Sequence, residues 1–511
     1  MPGVSPLAAS LVSGENEAPT ASPLLRDLES VDLGPAGVAW SDTDFLRELR
    51  IEHERLGASA ESLGAIDALG DGAACVVTGQ QPGLLVGPLY TFYKLVGAVA
   101  LARRLSVRGG RRVVPVYWCG SDDADFDEVR SAWVWDRSAG PFRAEVERAH
   151  WRTGLPVGAV RTEEIAAVEG AALDRAGRTE ALAAALEAMR GLDGLAERAQ
   201  AWVLRLFADD GLVVVDARSP SLRRLGGPLF ERYAKDHEGI TGALDAHAED
   251  LEARKWPVPI DPVARRSGLF ALEDGLRHKL SPDRLGSGDF DPAAVAPSVL
   301  LRPVWQDALL APVAAVLGPA ELHYHGQLTP LYRALDVRAA RPALRPHAVV
   351  VDDGAWPQDS AARRALLAGD ESAIATLRRA RLPRRWSEAL GRVDSSVDRA
   401  VGELEGLAQD AAAEREIERL RTRLHEAVRH AADGLADRAG NGPSPHERLR
   451  WYNLRGRPQE RAYAVTQWWS WWGEDAEAAR DALAAAYLDS FARSDVPAWA
   501  LHRVRPGATG R

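Results

Sequence analysis

The run AACVVTG (Ala73 to Gly79) is unbroken in its apolar, partly β-branched character, as expected of a strand buried on both faces of a sheet. It leads into TGQQPGLLVGPLYTFYK (Thr78 to Lys94), where glycines, paired glutamines, tyrosines and a lysine gather. The helical periodicity of FYKLVGAVALARRL (Phe92 to Leu105) follows. A buried strand opening through a Gly/Gln loop into a helix predicts an open α/β sheet, and such sheets bind ligands at that turn. Amides and the dipole at the helix start favour anions there.

The α/β alternation continues. RRVVPVYWCGSDDADFDEV (Arg111 to Val129) reads as a buried strand ending in a carboxylate cluster, and GLVVVDAR (Gly211 to Arg218) as another strand. Residues 163–207 read as helices, and 241–297 as a mixed insertion with a hairpin around Asp274-Gly275. Residues 298–335 return to a strand-helix-strand-helix order. Beyond 358, Ile417, Leu420, Leu424, Val428, Ala431 and Leu435 recur at three- and four-residue steps. If 396–438 is one helix it reaches roughly 65 Å, suited to a projecting coiled-coil arm. The expected organisation is an α/β core over 1–357, a helical coiled-coil arm over 358–447, and a segment over 448–511 that returns to the core. Trp468, Trp469, Trp471 and Trp472 read as helical packing rather than a stacking platform.

A chain of 511 residues, 46% hydrophobic and 27% charged, can bury more than one core. Its net charge of −10 argues against broad binding to nucleic acid or anionic membranes, so any anion site must be local. The start of the chain lacks a signal-peptide pattern and no run approaches the ~20 apolar residues of a membrane span, which predicts a cytoplasmic protein. Cys75 and Cys119, both in buried-strand runs, suit neither a structural disulfide nor a zinc set. His323 and His325 alternate as strand residues would, and no protein metal site is expected.

Four constellations carry candidate chemistry. In the first loop, Gln80, Gln81 and Tyr90 are substrate-binding candidates and Lys94 a catalytic one. Gly83 and Gly87 there would let backbone approach a nucleotide or anion. At the second strand end, Asp122 and Asp123 are candidate catalytic carboxylates, whereas Asp127 and Glu128 suit a helix cap. Arg302, Gln306, Tyr324 and Gln327 form a third, substrate-binding set; an arginine paired with Asp307 in the core is the plain alternative. Arg455 and Arg457, near Gln459, Glu460 and Arg461, are candidates for gripping an anion.

The first loop, VPVYWCGSDDADFDEV, VLLRPVWQD, GPAEL with QLTPLY, the long helix and the late PQER run stand in an order and spacing that resembles the bacillithiol-biosynthesis cysteine ligase family (BshC) over nearly the whole chain. The resemblance implies a Rossmann-like core akin to class I nucleotidyltransferases and aminoacyl-tRNA synthetases, with connecting insertions and a coiled-coil arm supporting a homodimer. It also implies a ligase that joins cysteine to glucosaminyl-malate by an amide bond, with ATP, accompanied by Mg²⁺, as the expected cofactor. Three departures stand out: Ala124 replaces a histidine of the acidic motif, Ser298 replaces an asparagine, and the pattern downstream of QLTPLY is poorly kept in RPALRPHAVV. They keep two alternatives open, a ligase with another amino-acid or amine substrate, and a diverged, non-catalytic dimeric adaptor. An aminoacyl-tRNA-related enzyme is disfavoured by the acidic charge.

Overall fold

The structure, a computed structural model, describes residues 19–136, 138–266, 268–288, 290–351, 360–380, 382–439, 445–492 and 501–504. The chain divides into two compact units, one of Gly3–Val349 with Glu460–Arg511, the other of Val350–Gln459. The sequence-based readings of the N-terminal start and of the boundary at 357/358 fall outside the described residues, as do residues 440–444 near the end of the expected arm.

The first unit is organised by five parallel strands: β1 (Ala74–Gln80), β2 (Val113–Cys119), β3 (Val213–Asp216), β4 (Ala314–Leu317) and β5 (Arg341–Leu344), in the order β5-β4-β1-β2-β3. Period-2 alternation divides β1, β2 and β4 between two cores. Cys75, Val77, Val114, Val116, Trp118 and Ala315 face one apolar cluster, while Ala74, Val76, Val113, Ala314 and Val316 face the other. Residues buried on both faces explain why these strands look uniformly apolar in sequence.

The chain moves outward from β1 through β2 to β3, then returns to the other side of β1 for β4 and β5. The direction therefore reverses between β1 and β4, and the crevice beyond the carboxyl ends of those two strands is where such sheets bind ligands. In register, Gln80 lies opposite Cys119, so the residues after β1 and β2 emerge side by side.

Helices α1 (Leu89–Gly109), α2 (Glu164–Ala176), α3 (Leu195–Leu206), α4 (Arg302–Leu310) and α5 (Pro319–Gln327) position the side chains discussed below. The Asp274-Gly275 hairpin joins Leu269–Glu273 to Leu276–Lys279, with φ of 52° and 75° at its two turn residues, as a type I′ turn requires. His323 and His325 lie on α5, not on a strand. Pro319 at the first helical position and Glu321 bonded back to the Gly318 amide (2.7 Å) start a helix there. Two residues apart on a helix, their side chains diverge.

Within the second unit, the expected single helix over 396–438 is two, α6 (Arg384–Glu405) and α7 (Ala411–Ala439). The break follows from Gly402 and Gly406, which weaken the helix, and from Asp410, whose Oδ1 accepts the amides of Ala412 (2.9 Å) and Ala413 (2.8 Å) to begin the next. The two run antiparallel, tied by Arg421 to Glu405 (2.6 Å) and by His425 to Asp394 (2.7 Å) and Asp398 (3.0 Å). Ala432 and Ala436 are buried with Leu382, whereas Leu404, Leu407 and Leu420 stay exposed.

Candidate active site

A cavity of about 610 Å³ opens at the carboxyl ends of the strands, lined only by residues of the first unit. Gln80 and Gln81 reach it from the end of β1, Asp122 and Asp123 from the turn after β2, and Arg345 from the end of β5. Tyr90 and Lys94, four residues apart, share one face of α1. Arg302 is the first residue of α4, and Glu321 and Tyr324 come from α5. The inserted three-stranded sheet adds Phe270, Arg277 and Lys279.

Many of the polar groups here are bonded to one another. The buried Lys94 Nζ donates to Gly79 O (2.8 Å), Gln80 Oε1 (2.9 Å) and Glu321 Oε2 (2.5 Å), so its three donors are taken. Burial draws its ammonium below the ordinary value, against the pull of Glu321. Gln80 Nε2 in turn donates to Gln81 Oε1 (2.7 Å) and Tyr90 Oη (3.1 Å), and Gln81 Nε2 to Asp123 (3.0 Å). Arg345 forks onto Glu460 with bonds of 2.8 and 2.6 Å, and Glu460 also meets His347 Nδ1 at 2.5 Å. Burial alone would raise the Glu460 carboxyl, but Arg345 and His347 hold it far below the carboxylate range. Lys94, Arg345 and Arg461 each stand 5.8 Å from the centre of the Tyr90 ring, within cation–π range.

Asp122 differs. It is 3% exposed and lines the cavity, yet its carboxylate accepts no hydrogen bond among the described residues; Arg277 Nη1 instead donates to its backbone oxygen (2.5 Å). Burial raises its pKa, partly offset by Arg277. Neighbouring Asp123 is occupied in shaping the turn, accepting the amides of Ala124 (2.6 Å) and Asp125 (3.2 Å). Arg302 donates to the Tyr324 hydroxyl at 3.1 Å, leaving the rest of its fork toward the cavity. Arg461 and Lys279 have no ion-pair partner among the described residues. Six cationic and four anionic side chains line the site, so a chain of net charge −10 carries a locally positive cavity.

The structure thus gathers Gln80, Gln81, Tyr90, Lys94, Asp122, Asp123, Arg302 and Tyr324 at one cavity. Gly83 and Gly87 lie off its lining. A side chain at Gly83 would come within 3.0 Å of the Gly87 Cα, so these glycines permit a tight turn. Gln306 and Gln327 are interior. Gln306 bonds Asp307 (3.2 Å), and Gln327 bonds Ile260 N (2.9 Å) and O (3.2 Å). Asp307 pairs not with Arg302 but with the Tyr332 hydroxyl (2.8 Å) and the Ala340 amide (2.9 Å). Arg455 and Arg457 belong to the second unit, in a two-residue hairpin with Asn453–Leu454, and Gln459 there bonds Val350 N at 2.8 Å. The four tryptophans are buried, Trp468 packing 4.6 Å from Phe92.

Glu321, Arg345, Arg277 and Lys279 were not singled out from sequence. For Glu321 the signal existed in the Gly-Pro-x-Glu start of α5; for the others, lone cations in separate segments gave none. Ala124 and Ser298, two of the departures noted above, both line the cavity. Cys75, whose thiol burial pushes up to about 12, and the likewise buried Cys119 do not. Among the described residues no cluster of three His, Cys, Asp or Glu could hold a metal ion, and no helix is long and apolar enough to cross a membrane.

Comparison with known proteins converges on one family. A protein of Koribacter versatilis (strain Ellin345) is 34% identical over 309 residues, 57% of each chain. One of Solibacter usitatus (strain Ellin6076) is 32% identical over 294 residues, 55% of this chain and 56% of the relative. One of Natranaerobius thermophilus is 28% identical over 311 residues, 56% of each. All three bear the name "Putative cysteine ligase BshC", and the chain spans little more than half the length of these relatives. The family profile described as "Bacillithiol biosynthesis BshC, N-terminal Rossmann-like domain" matches residues 39–290 and 289–346. That match runs through all five strands and every cavity residue up to Arg345, and on it the chain belongs to the BshC family of bacillithiol biosynthesis.

Proposed function

We propose that this chain is a ligase that joins the carboxylate of cysteine to the amino group of glucosaminyl-malate, with ATP supplying the activation. Amide formation from a free carboxylate requires an activated acyl group and a deprotonated amine. Neither thiol is suited to forming a covalent acyl intermediate, since burial raises both well above the thiolate-forming range. Catalysis then rests on positioning, charge stabilisation and one proton transfer.

The observation that carries the reading is Asp122, a buried carboxylate at the ligand end of the sheet with a raised pKa and no hydrogen bond to its carboxylate among the described residues. It takes the proton of the incoming ammonium. Arg302, Arg461 and Lys279 hold carboxylate or phosphate oxygens opposite it, and Mg²⁺, if required, enters on the nucleotide rather than on a protein site. Ala124 and Ser298, where this chain departs from the family pattern, both line the cavity, and a ligase with another amino-acid or amine substrate is the second reading they support. The reading includes a class I nucleotidyltransferase-like core, a cytoplasmic setting, and a homodimer joined as a coiled coil through the exposed leucines of α6 and α7.

The test is a reconstituted reaction with cysteine, ATP and glucosaminyl-malate, followed by mass spectrometry. The expected result is the thiol-bearing amide product together with released nucleotide. No product and no nucleotide turnover with these three substrates would contradict it. For the dimer, Leu420→Glu with Leu424→Glu is expected to give a monomer in size-exclusion chromatography with light scattering; a monomeric wild type at micromolar concentration contradicts it.

A further inference from the structure

Between Gln81 and Tyr90 the chain passes through a turn whose backbone is strained. Leu85 and Val86 have φ of 54° and 71°, a region that L-residues avoid and that is a genuine outlier for a β-branched valine. Both side chains are fully buried, so the turn is fixed to the core although glycine would adopt it freely. Strain of this kind persists only where the surroundings over-determine it.

The surroundings here include a buried ion pair outside the cavity lining. Glu169, on α2, accepts the Leu85 amide on Oε1 at 3.2 Å. Its Oε2 accepts Arg198 Nε (2.9 Å), Arg198 Nη2 (2.7 Å) and Trp202 Nε1 (3.2 Å), both partners being on α3. Arg198 Nη1 donates to the carbonyls of Met189 (3.0 Å) and Leu192 (3.1 Å). Glu169 is 1% exposed and Arg198 2%. A buried pair of this sort gives no more stability than an apolar replacement of equal volume, so stability alone does not account for it. What an apolar pair would not provide is the acceptor for Leu85.

We propose that Glu169, oriented by Arg198, is a positioning residue: it locks the Gly83–Gly87 turn and thereby sets how Gln80 and Gln81, before the turn, meet Tyr90 and Lys94, after it. The inference rests on the ligase reading of that cavity. The Gln80 bond to the Tyr90 hydroxyl spans the two ends of the turn, so a shift of the turn moves both.

The experiment compares wild type with Glu169→Leu/Arg198→Leu and Glu169→Gln/Arg198→Leu by melting, hydrogen exchange and steady-state kinetics. Both variants lose the Arg198 bonds to the Met189 and Leu192 carbonyls and are expected to melt somewhat lower; in the first variant alone amides 84–87 are expected to exchange faster and kcat to fall on the order of ten- to a hundredfold with smaller changes in KM, the size a small misplacement produces. Glutamine restores an oxygen acceptor, and the second variant is expected to regain both protection and rate. Unchanged exchange and kcat in the first variant would overturn the proposal. So would a loss of kcat without faster exchange at 84–87, or equally fast exchange and equally low kcat in both variants, which would make the pair a general strut. Wild-type protein without turnover would sink the ligase reading alone, since exchange at 84–87 still reports whether Glu169 holds the turn.

Discussion

The two sides of the cavity are built from the same residue types and differ in what those residues bond. Around Lys94, every strong donor and acceptor meets another protein group: the ammonium meets Glu321, Gln80 and a carbonyl, and Arg345 meets Glu460. Among the described residues the Asp122 carboxylate has no hydrogen-bonding partner, and Arg461 and Lys279 have no ion-pair partner. On the proposed reading the difference separates framework from chemistry. Groups already saturated hold shape, whereas those left open at a cavity have their interactions to make with a ligand.

The sharpest way to break this comparison is to exchange one residue on each side. Asp122→Asn keeps volume and removes the base, and turnover is expected to fall by about 10²–10⁴-fold with an unchanged melting temperature. Equal turnover would place the base elsewhere. Lys94→Met should act the other way round, first on the fold. It strips Glu321, Gln80 and Gly79 of their shared partner, and breaking a buried pair costs about 3–5 kcal/mol, read as a lower denaturation midpoint. A Lys94→Met protein as stable as wild type but inactive would move Lys94 to the chemical side. Arg461→Gln is the mildest exchange. It is expected to raise KM for the anionic substrate about tenfold while stability stays within about 0.5 kcal/mol, as surface substitutions do. A KM that does not move would remove Arg461 from substrate binding.

The sheet was legible in sequence because β1, β2 and β3 are buried on both faces and therefore read as continuous apolar runs. The glutamine loop was legible because polar residues gathered after such a run have few structural uses. Four things were not. Gln306 and Gln327 look like ligand-binding amides, since a sequence does not show that the Ile260 backbone saturates one or that Asp307 meets the other. Arg277 and Arg345 reach the cavity from segments far apart in the chain, an arrangement that only topology creates. The turn between α6 and α7 was hidden because apolar spacing resumes on its far side, and only Asp410 and the two glycines betray it. The strain at Leu85 and Val86 was also invisible, because nothing in their identities announces a positive φ.

The central claim, that the open carboxylate of Asp122 is the base, is tested most directly by the pH dependence of kcat/KM in wild type and in Asp122→Asn. The raised pKa means that Asp122 becomes protonated, and loses its function as base, as pH falls through a value above the ordinary 3.8. The account predicts an acid limb in the wild type with its midpoint above that value, and no such limb in the slower variant. A variant with the wild-type rate and the same acid limb would contradict it.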